Sequence, residues 1–85
     1  MEFTNEELEE LLTINIQAKT MVSTLSYCDK LEEKIYECMK NETELDKQSI
    51  KQAHNNYLAL ALFTNLNYCN EELFKKLNKF MDENR

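Results

Sequence analysis

Glycine and proline are both absent from the 85 residues of this chain, although average usage of roughly 7% and 5% would supply about ten of them. Without glycine the chain lacks the residue that tight turns, left-handed backbone positions and Asn-Gly hairpins favour. Phosphate-binding loops and dinucleotide-binding fingerprints also need glycine, because their backbone approaches the ligand closely. These absences exclude nucleotide-binding enzymes of those classes and predict an all-α fold.

Positive charge is also scarce. Lysine and arginine together number 10 against 16 acidic residues, which gives a net charge of −6. Proteins that bind nucleic acids or anionic membranes nonspecifically carry a basic stripe, so we expect neither direct nucleic-acid binding nor membrane binding. The acidic balance suits a basic protein partner instead. Because the chain opens with Met1-Glu2-Phe3 rather than a basic leader, we expect a cytoplasmic protein with a single domain over residues 1–85.

The residues that most often carry chemistry are few, and their spacing does not suit it. A Cys₃His zinc site would have to combine Cys28, Cys38, Cys69 and the single histidine, His54, but structural zinc sites bring their ligands in close pairs. Cys28 and Cys38 fall on an apolar helix seam, which favours buried free thiols. No acid–base pair is recognisable. We therefore expect a non-catalytic protein with no metal site and no cofactor.

The longest apolar pattern follows a helix start. Thr4 and Glu7 have the spacing of a capping box, in which each residue satisfies a backbone N–H near the other. Apolar or small residues then alternate in steps of three and four, with one extra step of three. They are Leu11, Ile14, Ala18, Met21, Leu25, Cys28, Leu31, Ile35 and Cys38. The pattern predicts one helix over about 5–40, bent near residues 26–29; a break into two helices there is the alternative.

Two more helices are predicted in the second half of the chain. Thr43, with Asp46 three residues later, has the pattern of a helix cap, and the apolar seam that follows predicts a helix over about 44–67. Asn70 precedes an apolar stripe that predicts a short helix over about 71–83. The stripe consists of Leu73, Phe74, Leu77, Phe80 and Met81.

The tetrapeptide Asn-Glu-Glu-Leu occurs twice, at residues 5–8 and 70–73. Asparagine is a favoured N-cap residue, and paired glutamates suit the positive end of a helix dipole. We interpret both copies as helix starts rather than as a binding motif. The predicted architecture is a small helical bundle, in which a short third helix joins a long helical hairpin.

A charge-free stretch is the feature that capping does not explain. Residues 52–70 contain no charged side chain in a chain that is 31% charged, and residues 57–63 are apolar on every helix face. The apolar run is shorter than the roughly 20 residues of a membrane span. A helix over 5–40 would be roughly 54 Å long and the third helix roughly 20 Å, so the third helix would leave part of the hairpin uncovered. We therefore predict a homodimer; burial by the chain itself or by a different protein is the alternative. The predicted self-association residues are Tyr57, Leu58, Ala61, Leu62, Phe63 and Leu66.

An acidic run at the start of the chain is the second candidate site. Five glutamates occur within ten residues, with no basic residue among them: Glu2, Glu6, Glu7, Glu9 and Glu10. As a docking patch, they would steer the chain toward a basic protein surface; a solubilising first helical turn is the alternative. Tyrosines are frequent binding hot spots, and the candidates here are Tyr27, Tyr36 and Tyr68.

These observations favour a small acidic module that acts by binding and occluding another protein. An inhibitor of a host enzyme or defence system, carried by a phage or mobile element, fits the size, acidity and lack of catalytic groups. A bacterial immunity protein or regulatory subunit fits equally. Nucleic-acid mimicry is a further hypothesis, although lysines interrupt the acids between residues 30 and 51. A structural or ligand-binding helical oligomer is the last.

Overall fold

The computed structural model describes residues 2–63 and 70–84, apart from the side chains of 62 and 63. Four helices make up most of this part: α1 (Asn5–Met21), α2 (Cys28–Asn41), α3 (Lys47–Phe63) and α4 (Glu71–Glu83). The described residues contain no strand, and the predicted all-α fold is confirmed. None of these helices combines the length and apolar character that crossing a bilayer requires.

The starts of α1 and α4 follow the capping patterns in the sequence. Thr4 Oγ1 accepts a hydrogen bond from Glu7 N at 3.1 Å, and Glu7 Oε1 accepts one from Thr4 N at 2.9 Å, which completes the predicted capping box. At α4, Asn70 Oδ1 accepts hydrogen bonds from the N–H groups of Glu72 and Leu73. Both copies of the tetrapeptide therefore lie at helix starts. Asn5 of the first copy is the first residue of α1 and follows the cap, whereas Asn70 of the second copy is itself the cap of α4.

The predicted single helix over 5–40 is wrong, because the chain leaves the helical path after Met21 and resumes it at Cys28. Between them, Leu25 N donates to Val22 O at 3.1 Å and closes a turn. The reversal lets α2 pack against α1, so that Ala18, Cys28 and Leu31 are each at most 1% exposed. A continuous helix would separate its two halves, so that neither could cover the apolar stripe of the other within one chain.

The start of α3 also differs from its prediction. The helix begins at Lys47, three residues later than predicted, and its cap is Asp46 rather than Thr43. Asp46 Oδ1 accepts a hydrogen bond from Ser49 N at 2.7 Å, and this bond is the main cause that holds the pKa of the Asp46 carboxyl below its ordinary value. The structure describes α3 to Phe63, and residues 64–67 of the predicted helix lie outside the described part.

The core draws on all four helices. Its fully buried members are Leu11 and Ala18 of α1, Leu31 and Ile35 of α2, Ile50, Ala53, Tyr57 and Leu60 of α3, and Leu73 and Leu77 of α4. The radius of gyration is 11.9 Å, equal to the value of about 12 Å expected for a compact chain of this length. The principal extents of 32 × 25 × 24 Å remove the argument that a helix of roughly 54 Å needs a second copy to cover it.

A hydrogen-bonded polar network crosses this apolar core. Asn15 and Asn56 are 1% and 0% exposed, and Asn56 Nδ2 donates to Asn15 Oδ1 at 3.0 Å. Asn15 Nδ2 donates to the Cys28 carbonyl at 2.8 Å. Tyr27 Oη donates to Asn56 Oδ1 at 2.9 Å and accepts from Asn55 Nδ2 at 2.9 Å. Buried amides need such partners, and here they connect α1, the start of α2 and α3.

Candidate functional site

The predicted acidic patch divides into two parts, and Glu7 turns inward. Besides its capping bond, Glu7 Oε1 accepts from Lys76 Nζ at 3.0 Å. Burial acts to raise the pKa of this carboxyl, but the Thr4 N–H and the Lys76 ammonium ion outweigh it, so the pKa lies below its ordinary value. Lys76 also lies 4.7 Å from the centre of the Phe3 ring and donates to the Glu2 carbonyl. Glu7 therefore ties α1 to α4 and is not available to a partner.

The other three glutamates of α1 line a cleft, which we call the acidic cleft. Glu6 and Glu9 are exposed and Glu10 is partly buried. Glu10 Oε1 accepts a hydrogen bond from Asn70 Nδ2 at 3.3 Å, which fixes one edge of the cleft to the start of α4. The cleft has a volume of about 640 Å³. Its lining residues in the described part of the chain are Glu6, Glu9, Glu10, Thr13, Ile14 and Gln17 of α1, Tyr57 of α3, and Asn70.

The acidic cleft has a charged rim, and buried core residues close its floor. Among the described residues, four ion pairs occur, and none of them includes Glu6, Glu9 or Glu10. The floor is closed by Ile14 and Tyr57, which are 6% and 0% exposed, and the Tyr57 ring stacks on Phe74 with 5.3 Å between ring centres. Carboxylates on such a rim suit a cationic group such as that of lysine or arginine.

Sequence reasoning missed Thr13, Gln17 and Asn70 as members of this site. Glu6, Glu10, Thr13 and Gln17 follow one another at steps of four, three and four, so a helical wheel places them on one flank of α1. That signal was present in the sequence. The contribution of Asn70 was not, because it depends on how α4 packs beside α1.

The predicted self-association residues do not form one exposed face. Tyr57 is 0% exposed and belongs to the core of its own chain. Leu58 is 46% exposed and Ala61 is exposed. The side chains of Leu62 and Phe63, and the whole of Leu66, lie outside the described part of the structure. The exposed apolar surface described on α3 is therefore limited to Leu58 and Ala61.

The three candidate hot-spot tyrosines have different environments. Tyr36 is 52% exposed on α2 and remains available to a partner. Tyr27 is partly buried and takes part in the polar network, and burial raises the pKa of its hydroxyl. Tyr27 is therefore occupied by contacts within the chain. Tyr68 lies outside the described residues.

A second cleft carries the opposite charge. It lies between α2 and the start of α3, has a volume of about 480 Å³, and is lined by Lys30, Lys34 and Lys47. Asp46 also lines it, with its carboxylate 3.9 Å from Lys34 Nζ and hydrogen-bonded to the first turn of α3. The chain's own carboxylate thus offsets part of the positive charge of this cleft.

The histidine and the described cysteines are engaged in packing. His54 Nε2 lies 2.7 Å from Asn78 Oδ1, and the imidazole stacks on Phe74. Cys28 and Cys38 are buried free thiols, and burial raises the pKa of Cys28. The described residues include no group of three or more His, Cys, Asp or Glu side chains that is arranged to hold a metal ion.

Comparison with known proteins adds no relative to this picture. No protein-family model matches the chain, and no similar protein was found among curated proteins or solved structures.

Proposed function

We propose that this chain is a non-catalytic protein-binding module whose acidic cleft holds a basic segment of a partner protein. The observation that carries the proposal is the set of three glutamates, free of described ion pairs, around one cleft. A lysine or arginine of the partner would place its charged group among Glu6, Glu9 and Glu10. Occlusion of that partner segment is the mechanism that follows, as in an inhibitor or immunity protein.

The charge of the whole molecule supports this role. With a net charge of −6, the chain attracts basic surfaces over distances of about 10 Å at moderate salt. Long-range attraction of this kind raises the association rate, whereas contacts inside the cleft set the lifetime of the complex. The module therefore needs both the net charge and the particular placement of the three glutamates.

The experiment separates these two contributions with matched variants. A short peptide of alternating lysine and serine is titrated into ¹⁵N-labelled protein at low and moderate salt. We expect chemical-shift changes at Glu6, Glu9, Glu10 and Gln17, and weaker binding at higher salt. The variant Glu6→Gln/Glu9→Gln/Glu10→Gln should lose most of the affinity.

The control variant is Glu33→Gln/Glu37→Gln/Glu44→Gln, which changes the net charge equally at exposed positions away from the cleft. It should keep the shift pattern at the cleft and lose little affinity. Equal loss in both variants, or shifts spread over the whole acidic surface, would show that net charge alone attracts the peptide and that the cleft is not a binding site.

A further inference from the structure

The connection between α1 and α2 ends a helix without the residues that usually do so. Residues 22–27 read Val-Ser-Thr-Leu-Ser-Tyr and contain neither glycine nor proline. Met21, Leu25 and Cys28 continue the apolar seam across it in steps of four and three. Local sequence therefore permits a helix to run through the connection, and the observed break must be held by contacts with other parts of the molecule.

Those contacts are specific and come mostly from α1 and α3. The first turn of α2 has no side-chain cap of its own. Asn15 Nδ2 donates a hydrogen bond to the Cys28 carbonyl, and the Tyr27 hydroxyl donates one to Asn56 Oδ1. An ion pair between Lys19 and Asp29 also bridges the two helices.

None of these contacts requires α1 to belong to the same chain. In one continuous helix, residues 15 and 28 would be separated by roughly 20 Å, and residues 19 and 29 by roughly 15 Å. The Asn15–Cys28 and Lys19–Asp29 contacts would then be lost within the chain. The α1 of a second copy, placed in the same position, would restore both of them. Exchange of an element through a hinge is a low-cost route to a dimer, since its contacts are the same in both forms.

We infer that residues 22–27 are a hinge through which two copies of this chain exchange α1. In the exchanged dimer, residues 5–41 form one helix, and each α1 packs on α2 and α3 of the other copy. The acidic cleft then becomes composite, with Glu6, Glu9 and Glu10 from one copy and Tyr57 and Asn70 from the other. The inference does not depend on the proposed binding function.

The first test uses two hinge variants that should shift the monomer–dimer equilibrium in opposite directions. Wild-type chain is unfolded in urea, refolded at millimolar concentration under reducing conditions, and its mass is measured by light scattering after size exclusion. Ser23 occupies the second position of the Val22–Leu25 turn, where proline is favoured, and Val22, with φ −124° and ψ 84°, lies outside the α region that a following proline disfavours. Ser23→Pro thus suits the monomer but breaks a continuous helix.

We expect a dimer of wild-type chain that Ser23→Pro reduces by at least about 100-fold, because each of the two long helices would contain the proline. The matched variant Ser23→Ala/Thr24→Ala should increase the dimer about tenfold, because alanine favours helix at these positions. The melting curve of the Ser23→Pro monomer verifies that it folds. A strictly monomeric wild-type chain and alanine variant, or a dimer unchanged by proline, would overturn the inference.

The second test distinguishes exchange from association through a surface. Equal amounts of ¹⁴N and ¹⁵N chain are refolded together, and the dimer is isolated and treated with a carbodiimide, which joins contacting amines and carboxylates. Exchange predicts that about half of the Lys19–Asp29 cross-linked peptides are of mixed isotope, as for random pairing of the two kinds of chain. Cross-links confined to chains of one isotope would show that α1 stays on its own chain, and would overturn the inference.

Discussion

Glu42 occupies the backbone position at which a glycine would normally be found. It ends α2 with φ 54° and ψ 41°, in the left-handed region, and it is the one non-glycine residue with positive φ in the described part of the chain. For a residue with a β-carbon this conformation costs about 1 kcal/mol. Its carboxylate also lies at the negative end of the α2 dipole, which is unfavourable for an anion.

Glu42→Gly should therefore raise the free energy of unfolding by about 1 kcal/mol, measured by urea denaturation. Glu42→Asn should raise it by about half as much, because asparagine tolerates left-handed backbone but keeps its β-carbon. The control is Glu44→Gly in the same connection, where positive φ is absent; there, added freedom in the unfolded chain should lower stability by about 0.5 kcal/mol. If glycine destabilises both positions equally, strain at Glu42 is not a significant cost.

The position of the Glu7 side chain shows why the acidic patch was only partly predictable from the sequence. The sequence placed Glu7 both in a capping box and in a docking patch, and one carboxylate cannot fully serve both. The capping bond at 2.9 Å and the Lys76 contact at 3.0 Å fix it inward. The capping pattern is local and could be recognised from four residues, whereas Lys76 lies 69 positions away and its contact depends on the fold.

At the scale of the helices, the polar network is a joint that should behave as one unit. Asn15→Leu or Asn56→Leu alone leaves a buried amide without its partner and should cost about 2–3 kcal/mol of unfolding free energy. Replacing both leaves neither amide unpaired, although the Cys28 carbonyl and the Tyr27 hydroxyl still lose their amide partners. The double variant should therefore cost less than the sum of the single variants by about 1–2 kcal/mol.

A second pair provides the reference for this coupling. Asn84 donates to the Phe80 carbonyl at the end of α4 and shares no described hydrogen bond with Asn15. Asn15→Leu combined with Asn84→Ala should therefore be additive within about 0.5 kcal/mol. Additivity in the Asn15–Asn56 pair as well would mean that the two amides contribute independently and that the network does not act as a unit.

The four helices differ in how far sequence alone could place them. The bounds of α4 were predicted correctly because its cap, its apolar stripe and its length all agree. The α1–α2 break was not, because an apolar seam has the same spacing whether a helix continues or folds back on itself. Within one chain, the fold-back is accompanied by the pairing of Asn15 with Asn56 across 41 positions, and no local pattern indicates that pairing. The start of α3 was missed for a smaller reason, since Thr43 and Asp46 are both good caps.

In the molecule as a whole, the net charge of −6 opposes folding, although the proposed binding of a basic segment would benefit from it. Self-repulsion among like charges is greater in the compact state than in the unfolded chain. Glu6 and Glu10, one helical turn apart, add a local repulsion of about 0.3 kcal/mol. The N-terminal dipole of α1 favours Glu6 but has little effect beyond the first turn. The second-turn glutamates of the acidic cleft should thus reduce stability.

Glu9→Gln/Glu10→Gln should therefore unfold at a higher temperature than wild type at low salt, with a gain of about 0.5 kcal/mol. Glutamine at position 10 keeps an oxygen for the Asn70 amide, so the edge of the cleft is preserved. Salt screens the repulsion within about 10 Å at 0.1 M, so the gain should shrink as salt is added, while binding of the lysine–serine peptide is weakened at every salt concentration.

Glu33→Gln/Glu37→Gln on α2 is the control: Lys30, Lys34 and Lys40 lie near these acids on the same helix, so their removal should bring no gain. If Glu9→Gln/Glu10→Gln is less stable than wild type at low salt, the prediction is wrong, because Glu9 and Glu10 would then stabilise the fold. Their presence in the cleft would need no functional explanation.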